Sequence, residues 1–413
     1  MSELMNLIAI DEAIETLNQG LNSELTTEKV AITEAGGRIL AQDLKSEIDL
    51  PPFSRSTMDG YALKAEDTFG ASENLPAYLD VVGEVKMGEK AETKINSGQA
   101  VAVPTGGMMP PGADAVVMVE YTEKMEEDEI EVTKSVAVGE NIVQQGEDIA
   151  AGDSLLAQGH LLRSQDIGAL TGIGITEVEV FAVPQVTVFS TGDELIPPEE
   201  EPEMGEIRDI NSYALGSRIT KLGATVNYGG IISDRKEELI TNLEAQLDKS
   251  DLIILSGGSS VGIKDLTIEV LNELGEPGVL VHGVSIKPGK PTILAIIDDT
   301  PVIGLPGHPT SAMVVFEIVV VPIIQKLAGR KEAEIKVQSQ VSAKLSRNVA
   351  SAPGREEYFR VSLEERDNQL WATPSLGKSS LITTMVEADG LAKVGLGTEG
   401  VKQGGMIPVI LFD

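Results

Sequence analysis

Leu7, Ile10, Ile14 and Leu17 recur at helical spacing, so the chain opens on an amphipathic helix that Gly20 stops. From Glu47 the period changes. Pro51-Pro52 force an extended entry, and Tyr78 to Val103 alternate as short strands punctuated by Gly83, Gly88 and Gly98. Strand-like text continues through Ala115–Val119, an acidic hairpin over Glu123–Glu131, and Val132–Val138. After Gly146 a helical pattern returns, with Ser164 as the predicted N-cap of Gln165–Leu170 and Gly172 and Gly174 beyond it. Residues 1–44 and 147–179 therefore read as one discontinuous, small helical or mixed domain, interrupted by a β-rich inserted domain over 45–146.

Residues 180–330 alternate strand with helix. Strands are predicted at Val186–Ser190, Thr225–Ile232 and Leu252–Ser256, and helices at Ser212–Leu222, Lys236–Asp248 and Leu266–Leu274. That rhythm predicts βαβ units around a parallel sheet, a central α/β domain whose ligands sit beyond the carboxyl ends of the strands. Met313–Gln325 reads as a further helix. Past Gly329-Arg330 short strands run to the end, which predicts a C-terminal β-barrel-like domain over 331–413. The expected fold class is thus multidomain, α/β and β.

Composition narrows the chemistry. With no Cys, thiolate nucleophiles, disulfides and Cys-ligated metals drop out. Three His, at 160, 282 and 308, are too few for an imidazole-rich metal site or an obvious Ser-His-Asp triad. Carboxylates, Lys, Arg, hydroxyls and backbone amides remain, and any metal is expected to be hard and oxygen-bound. The 32 Lys+Arg stand against 65 Asp+Glu, for a net charge of -33, which disfavours nucleic-acid binding. The N-terminal residues carry acids instead of a basic signal region, so the expected address is cytoplasmic. The most apolar stretch, Met313–Ile324, holds Glu317 and Pro322 and falls short of the roughly 20 residues a bilayer requires, so no membrane segment is expected.

The acidity is uneven. Residues 1–330 hold 22 basic and 54 acidic side chains, whereas 331–413 hold 10 and 11. Gln99–Ala113 is uncharged, and between Pro277 and Phe316 only Asp298 and Asp299 are acidic. Those gaps coincide with unusual motifs.

Strand Leu252–Ser256 runs into Gly257-Gly258-Ser259-Ser260-Val261-Gly262 ahead of a helix, which converges backbone N–H groups on an anion. It is neither a Walker loop nor a GxGxxG fingerprint. Asp193 and Glu194 follow the Val186–Ser190 strand, Asp234 follows Thr225–Ile232, and Asp265 follows the glycine cradle. Carboxylates gathered beside a phosphate cradle suit Mg²⁺, although each alone is an ordinary cap or turn acid. Ile286-Lys287-Pro288-Gly289-Lys290-Pro291 sets two lysines on a stiff frame, an anion clamp or a surface turn. Gly304-Leu305-Pro306-Gly307-His308-Pro309 frames the next helix start, where His308 is either a substrate contact or merely exposed. Gly354-Arg355 and Gly377-Lys378-Ser379-Ser380 give the C-terminal domain an oxyanion-suited patch.

Taken together, PPFSRSTMDGYA, PTGG…PPGADAVV, GEDI, STGDEL, SGGSSVG…D, IKPGKP and GLPGHPTS, in that order from Pro51 to about Ser380, resemble the MoeA-type molybdopterin molybdenumtransferase family, akin to the gephyrin E domain. The resemblance implies four domains and an elongated homodimer whose active site lies between the α/β domain of one subunit and the β-rich insert of the other. It implies insertion of molybdate, or tungstate, into adenylylated molybdopterin with Mg²⁺ and release of AMP. An upstream adenylyltransferase of the same pathway is the implied partner. By motif, Asp193, Glu194, Asp234 and Asp265 serve the metal and phosphate end, and Glu194, Asp234 and Asp265 the catalysis. Gly257, Gly258 and Ser259 cradle phosphate, Lys287 and Lys290 grip phosphate or molybdate, and Pro306 and Pro309 shape the pocket. Asp59, Thr105 and Asp148 arrive from the partner subunit, with Asp59 and Asp148 catalytic, while Arg355 and Ser379, or its neighbour Ser380, close the oxyanion site.

The chain departs from the family in three places. Val143, Gln144 and Gln145 stand where basic residues are usual, Ser54 replaces an Asp, and His308 replaces an Asn, which leaves the loop shape intact but alters its hydrogen-bonding. Two other readings stay open at this point: the ATP-dependent adenylyltransferase itself, which resembles only the 180–330 region, and a non-catalytic pterin-binding scaffold.

Overall fold

The computed structural model describes residues 7–21, 25–126, 128–257, 261–331, 335, 339–375 and 377–412. At its centre lies a six-stranded sheet in the order Thr225–Ile232, Gln185–Thr191, Leu252–Gly257, Thr300–Leu305, Ile293–Ile297, Pro277–His282. The first four strands are parallel, as expected. Ile293–Ile297 runs antiparallel to both its neighbours, Thr300–Leu305 and Pro277–His282, so the sheet is mixed. Only Asp298 and Asp299 separate Ile293–Ile297 from Thr300–Leu305, too few for a crossover, and Asp298 turns the chain at φ 54°.

Helices Ile10–Gly20, Asn211–Lys221 and the continuous Pro309–Leu327 segment cover one face of this sheet. Lys236–Leu247 and Val261–Leu274 cover the other. Pro309–Leu327 is the one helix among the described residues long and apolar enough to cross a membrane, yet most of it is buried inside the fold. A π-helical turn at Phe316–Val320 carries Glu317 inward, where Arg218 donates to it at 2.8 Å. Both side chains are almost fully buried, so each stabilises a charge that would otherwise be stranded.

The small mixed domain joins distant stretches of chain. Thr27–Ala31 pairs antiparallel with Glu177–Phe181, and Leu44–Lys45 with Ser154–Leu156, over a core of Ile32, Leu40, Leu162, Leu170 and Val178. Its helix spans Ser164–Gly172, so the cap position is Arg163, not Ser164. Asp166 displaces the serine from that role: it accepts both the Arg163 backbone N–H and the Arg163 guanidinium, and contacts His160. These contacts hold its carboxyl well below the ordinary carboxylate range.

Between those stretches the chain makes the β-rich insert, a six-stranded sheet ordered Ala115–Met118, Gly60–Leu63, Gln99–Val103, Ala77–Glu84, Glu129–Val132, Thr122–Glu126. Residues 85–98 form no strand. After residue 339, Glu356–Arg366, Gln369–Pro374, Gln340–Leu345, Met406–Leu411 and Gly390–Val394 close on themselves, because the last pairs back with the first. The result is a five-stranded barrel with Leu345, Val361, Ala372 and Val409 inside. One outside strand joins it: Ile286–Lys287, from the central domain, pairs in parallel with Glu356-Glu357.

Candidate active site

The carboxyl ends of the parallel strands border a cavity of about 670 Å³. Glu194, Asp234, Gly257 and Pro309 line it, together with Asn211, His308 and Ser380. At Gly257, with φ 146°, a Cβ would fall 2.1 Å from the Thr191 carbonyl oxygen of the adjacent strand, so only glycine fits the approach. The cradle residues Gly258 and Ser259 lie outside the described residues. Helix Val261–Leu274 begins immediately after them, as a phosphate-facing helix start requires.

The acids at this edge crowd one another. The backbone N–H of Asp234 donates to Asp193 Oδ1 at 3.0 Å. Asp234 Oδ1 is buried with no hydrogen-bond partner. Burial first, then the charges of Asp193 and Glu194, push the Asp234 carboxyl above its ordinary range. An unpartnered carboxylate oxygen among like charges fits a divalent cation. The described residues hold no preformed group of three or more metal-ligating side chains, which suits Mg²⁺ bound by one or two carboxylates and completed by phosphate oxygens. Asp193 and Asp265 are exposed and do not line the cavity, and Pro306 is buried and does not line it either.

A second cavity, about 410 Å³, holds the opposite charge. Lys287, Lys290, Arg355 and Ser379 all line it, with Ser311. The lysines come from the central domain, Arg355 and Ser379 from the barrel. Arg355 Nε is buried without an acceptor. The two cavities share a wall: Ser379 faces the cationic one and Ser380 the acidic one, and the Thr310 N–H donates to the Ser379 carbonyl at 3.1 Å to hold that segment against the helix start.

Asp59, Thr105 and Asp148 line neither cavity. All three are exposed; Asp59 and Thr105 sit together on the insert, where the Thr105 N–H donates to Asp59 Oδ1 at 2.7 Å, and Asp148 follows the insert at the return to the small domain. Of the residues departing from the family, Ser54 hydrogen-bonds Gln144 and accepts the Gln145 N–H, and Gln145 donates to Asp49. Polar bonds thus knit the segment where cations are usual.

Family models match nearly the whole chain in sequence order: "MoeA N-terminal region (domain I and II)" over residues 8–174, "Probable molybdopterin binding domain" over 187–326 and "MoeA C-terminal region (domain IV)" over 342–412. The molybdopterin molybdenumtransferase of Bacillus subtilis is 32% identical over 417 residues, covering 100% of this chain and 96% of the relative. This chain belongs to the MoeA family of molybdopterin molybdenumtransferases. The Haemophilus influenzae molybdopterin molybdenumtransferase is 34% identical over 354 residues, 86% of this chain and 85% of its own. The crystal structure of the molybdopterin biosynthesis MoeA protein of Pyrococcus horikoshii superposes with TM-score 0.86 at 31% identity, covering 98% of this chain and 100% of that one.

For a MoeA-family chain the cavity contains residues that motif reasoning missed. Asn211 Nδ2 donates to Ser256 Oγ at 2.9 Å and to the Gly307 carbonyl at 2.8 Å, fastening three strand-end segments together. Buried Asp209 accepts from Ser190 Oγ at 2.8 Å and from both the N–H and hydroxyl of Ser212, which anchors the floor. The signal was the polar run Arg208-Asp209 and Asn211-Ser212 ahead of a helix, which reads as an ordinary cap from sequence alone.

Proposed function

We propose that this chain inserts an oxyanion of molybdenum or tungsten into adenylylated molybdopterin and releases AMP by Mg²⁺-dependent hydrolysis. The observation that carries the reading is the pair of adjoining cavities of opposite charge, one acidic at a glycine-framed strand edge and one cationic beside it. Gly257 and the following helix start receive the phosphates. Lys287, Lys290 and Arg355 hold the oxyanion as a dianion, each through charge-assisted hydrogen bonds. Glu194 and Asp234, the two carboxylates that line the acidic cavity, would hold Mg²⁺, which supplies neutralisation of the phosphate charge. Ser379 and Ser380 form the wall across which the oxyanion meets the pterin.

A second copy of the chain belongs to this proposal. Asp59, Thr105 and Asp148 face solvent in their own chain, and a partner subunit would bring them to the acidic cavity. Tyr213 of the helix Asn211–Lys221 stacks on Tyr228 of the edge strand at 5.4 Å, both exposed, and exposed Ile207 and Ile210 line the cavity, apolar surface that supports a copy-to-copy face. The adenylylated substrate implies an ATP-consuming adenylyltransferase upstream, and a cytoplasmic address goes with that supply.

The experiment is incubation of the full chain with adenylylated molybdopterin, Mg²⁺ and molybdate or tungstate, monitoring AMP. AMP release that requires both oxyanion and Mg²⁺ is expected. ATP-dependent pyrophosphate release would identify the adenylyltransferase step instead, and pterin binding without AMP would identify a scaffold.

A further inference from the structure

We propose that Glu357 is a positioning residue for the oxyanion cavity, fixing the Lys287 ammonium from behind while lying outside the cavity lining. The inference rests on reading that cavity as the oxyanion site.

Lys287 and Glu357 are partners in the parallel pairing that ties the central domain to the barrel, so their side chains emerge side by side on one face of the ladder. Lys287 Nζ donates to Glu357 Oε1 at 2.7 Å. The Lys287 side chain is 51% exposed, whereas the Glu357 side chain is only 10% exposed. The buried carboxylate is therefore the fixed member and the lysine the tethered one. Its other oxygen, Oε2, accepts from Ser351 Oγ at 3.0 Å, so both carboxylate oxygens are engaged and the group has one orientation.

A free lysine has four rotatable side-chain bonds and three donors. Holding one donor on Glu357 aims the other two into the cavity and removes in advance the rotamer entropy that anion binding would otherwise oppose. Arg355, two residues before Glu357 at the start of the same barrel strand, lines the cavity itself. One strand thus carries a direct anion contact and the anchor of a second. Because Glu357 belongs to the barrel and Lys287 to the central domain, the cationic site is complete only when the two domains are docked.

Molybdate titration of the full-length protein by calorimetry, with no pterin present, tests this. Glu357→Ala is expected to raise the molybdate Kd on the order of tenfold, the loss of one charge-assisted orienting contact. Glu357→Gln, which keeps an acceptor of the same length, should fall between it and the unaltered protein, and Ser351→Ala should weaken binding a few-fold. The decisive comparison is Lys287→Ala with and without Glu357→Ala: the double variant should bind no more weakly than Lys287→Ala alone. Multiplying effects, or an unchanged Kd in Glu357→Ala, would overturn the proposal. So would an equal loss of affinity for adenylylated pterin together with a lowered unfolding temperature, the signature of a purely structural role. Unchanged molybdate binding in Lys287→Ala itself would instead overturn the oxyanion reading, and the proposal with it.

Discussion

The two cavities stand side by side yet are built by opposite means. The acidic one is walled by main chain: strand ends, a glycine that no other residue can replace, and the Asp234 carboxyl with one oxygen left without a partner. The cationic one is walled by long side chains from two domains, at least one of them tethered. On the proposed reading, backbone walls would fix where a large substrate sits and the acids would take up a cation that accompanies it, while tethered cations suit a small anion that must arrive, be held and leave. A strongly acidic protein would then bind two anions in neighbouring sites without a generally basic surface.

The sharpest break in this comparison is Asp234→Asn. It should lower AMP release at least about a hundredfold, the range for losing a group that stabilises transition-state charge, while molybdate titration stays unchanged. Next, Lys287→Ala with Lys290→Ala should raise the molybdate concentration at half-saturation by roughly thirtyfold, two charge-assisted contacts, with half-saturation by adenylylated pterin moved less than about twofold. Loss of both saturations together would mean that one site, not two, is present.

The dimer assignment is open to a complementation test. Asp59→Asn and Asp234→Asn subunits, each inactive alone, should regain about a quarter of normal turnover after mixing and reassembly, because half the dimers are mixed and each carries one intact site. No recovery would place Asp59 with its own chain. The shared wall predicts smaller effects: Ser379→Val should raise half-saturation for oxyanion alone and Ser380→Val for pterin alone, each by about three- to tenfold, the net value of a hydrogen bond.

Outside both cavities, Asp166→Asn should lower the unfolding midpoint by only about 2 °C, since Arg163 is largely exposed and screened. The carboxyl of Asp166 is depressed in the folded state, so its stabilisation is full above the ordinary carboxylate pKa of about 4 and fades as pH falls toward the lower folded value. Thermal melts of the two proteins should therefore converge below about pH 4. Divergence at acid pH would reverse the sign of that contact.

Regularly repeating elements were legible in the sequence. Gln185–Thr191 and Leu252–Gly257 were placed to within a residue at each end, because buried strands read as apolar runs bounded by turn residues, and the edge strand Thr225–Ile232 was placed with its observed limits although much of it is exposed. The antiparallel hairpin across Asp298-Asp299 was not, since its runs are as apolar as parallel ones and only the short turn distinguishes them. Lys287, Lys290, Arg355 and Ser379 were each visible as motif residues, and the structure gathers all four at one cavity. That Ser379 and Ser380 face different cavities was invisible, because it depends on how the barrel docks. Asp209 and Asn211 were hidden for a related reason: their partners, Ser190, Ser256 and Gly307, come from separate strands.

The interrupted small domain has a consequence for how the protein is born. Thr27 reaches Glu179 across 152 positions of sequence, and the whole β-rich insert lies between the paired strands. During synthesis the first strand emerges long before its mate, while every strand of the insert finds its neighbours within its own stretch of chain. The insert can thus mature on the ribosome first, drawing the two distant strands toward each other and shortening the loop their pairing must close. What looks like an interruption of one domain is placed to shorten the loop its pairing must close.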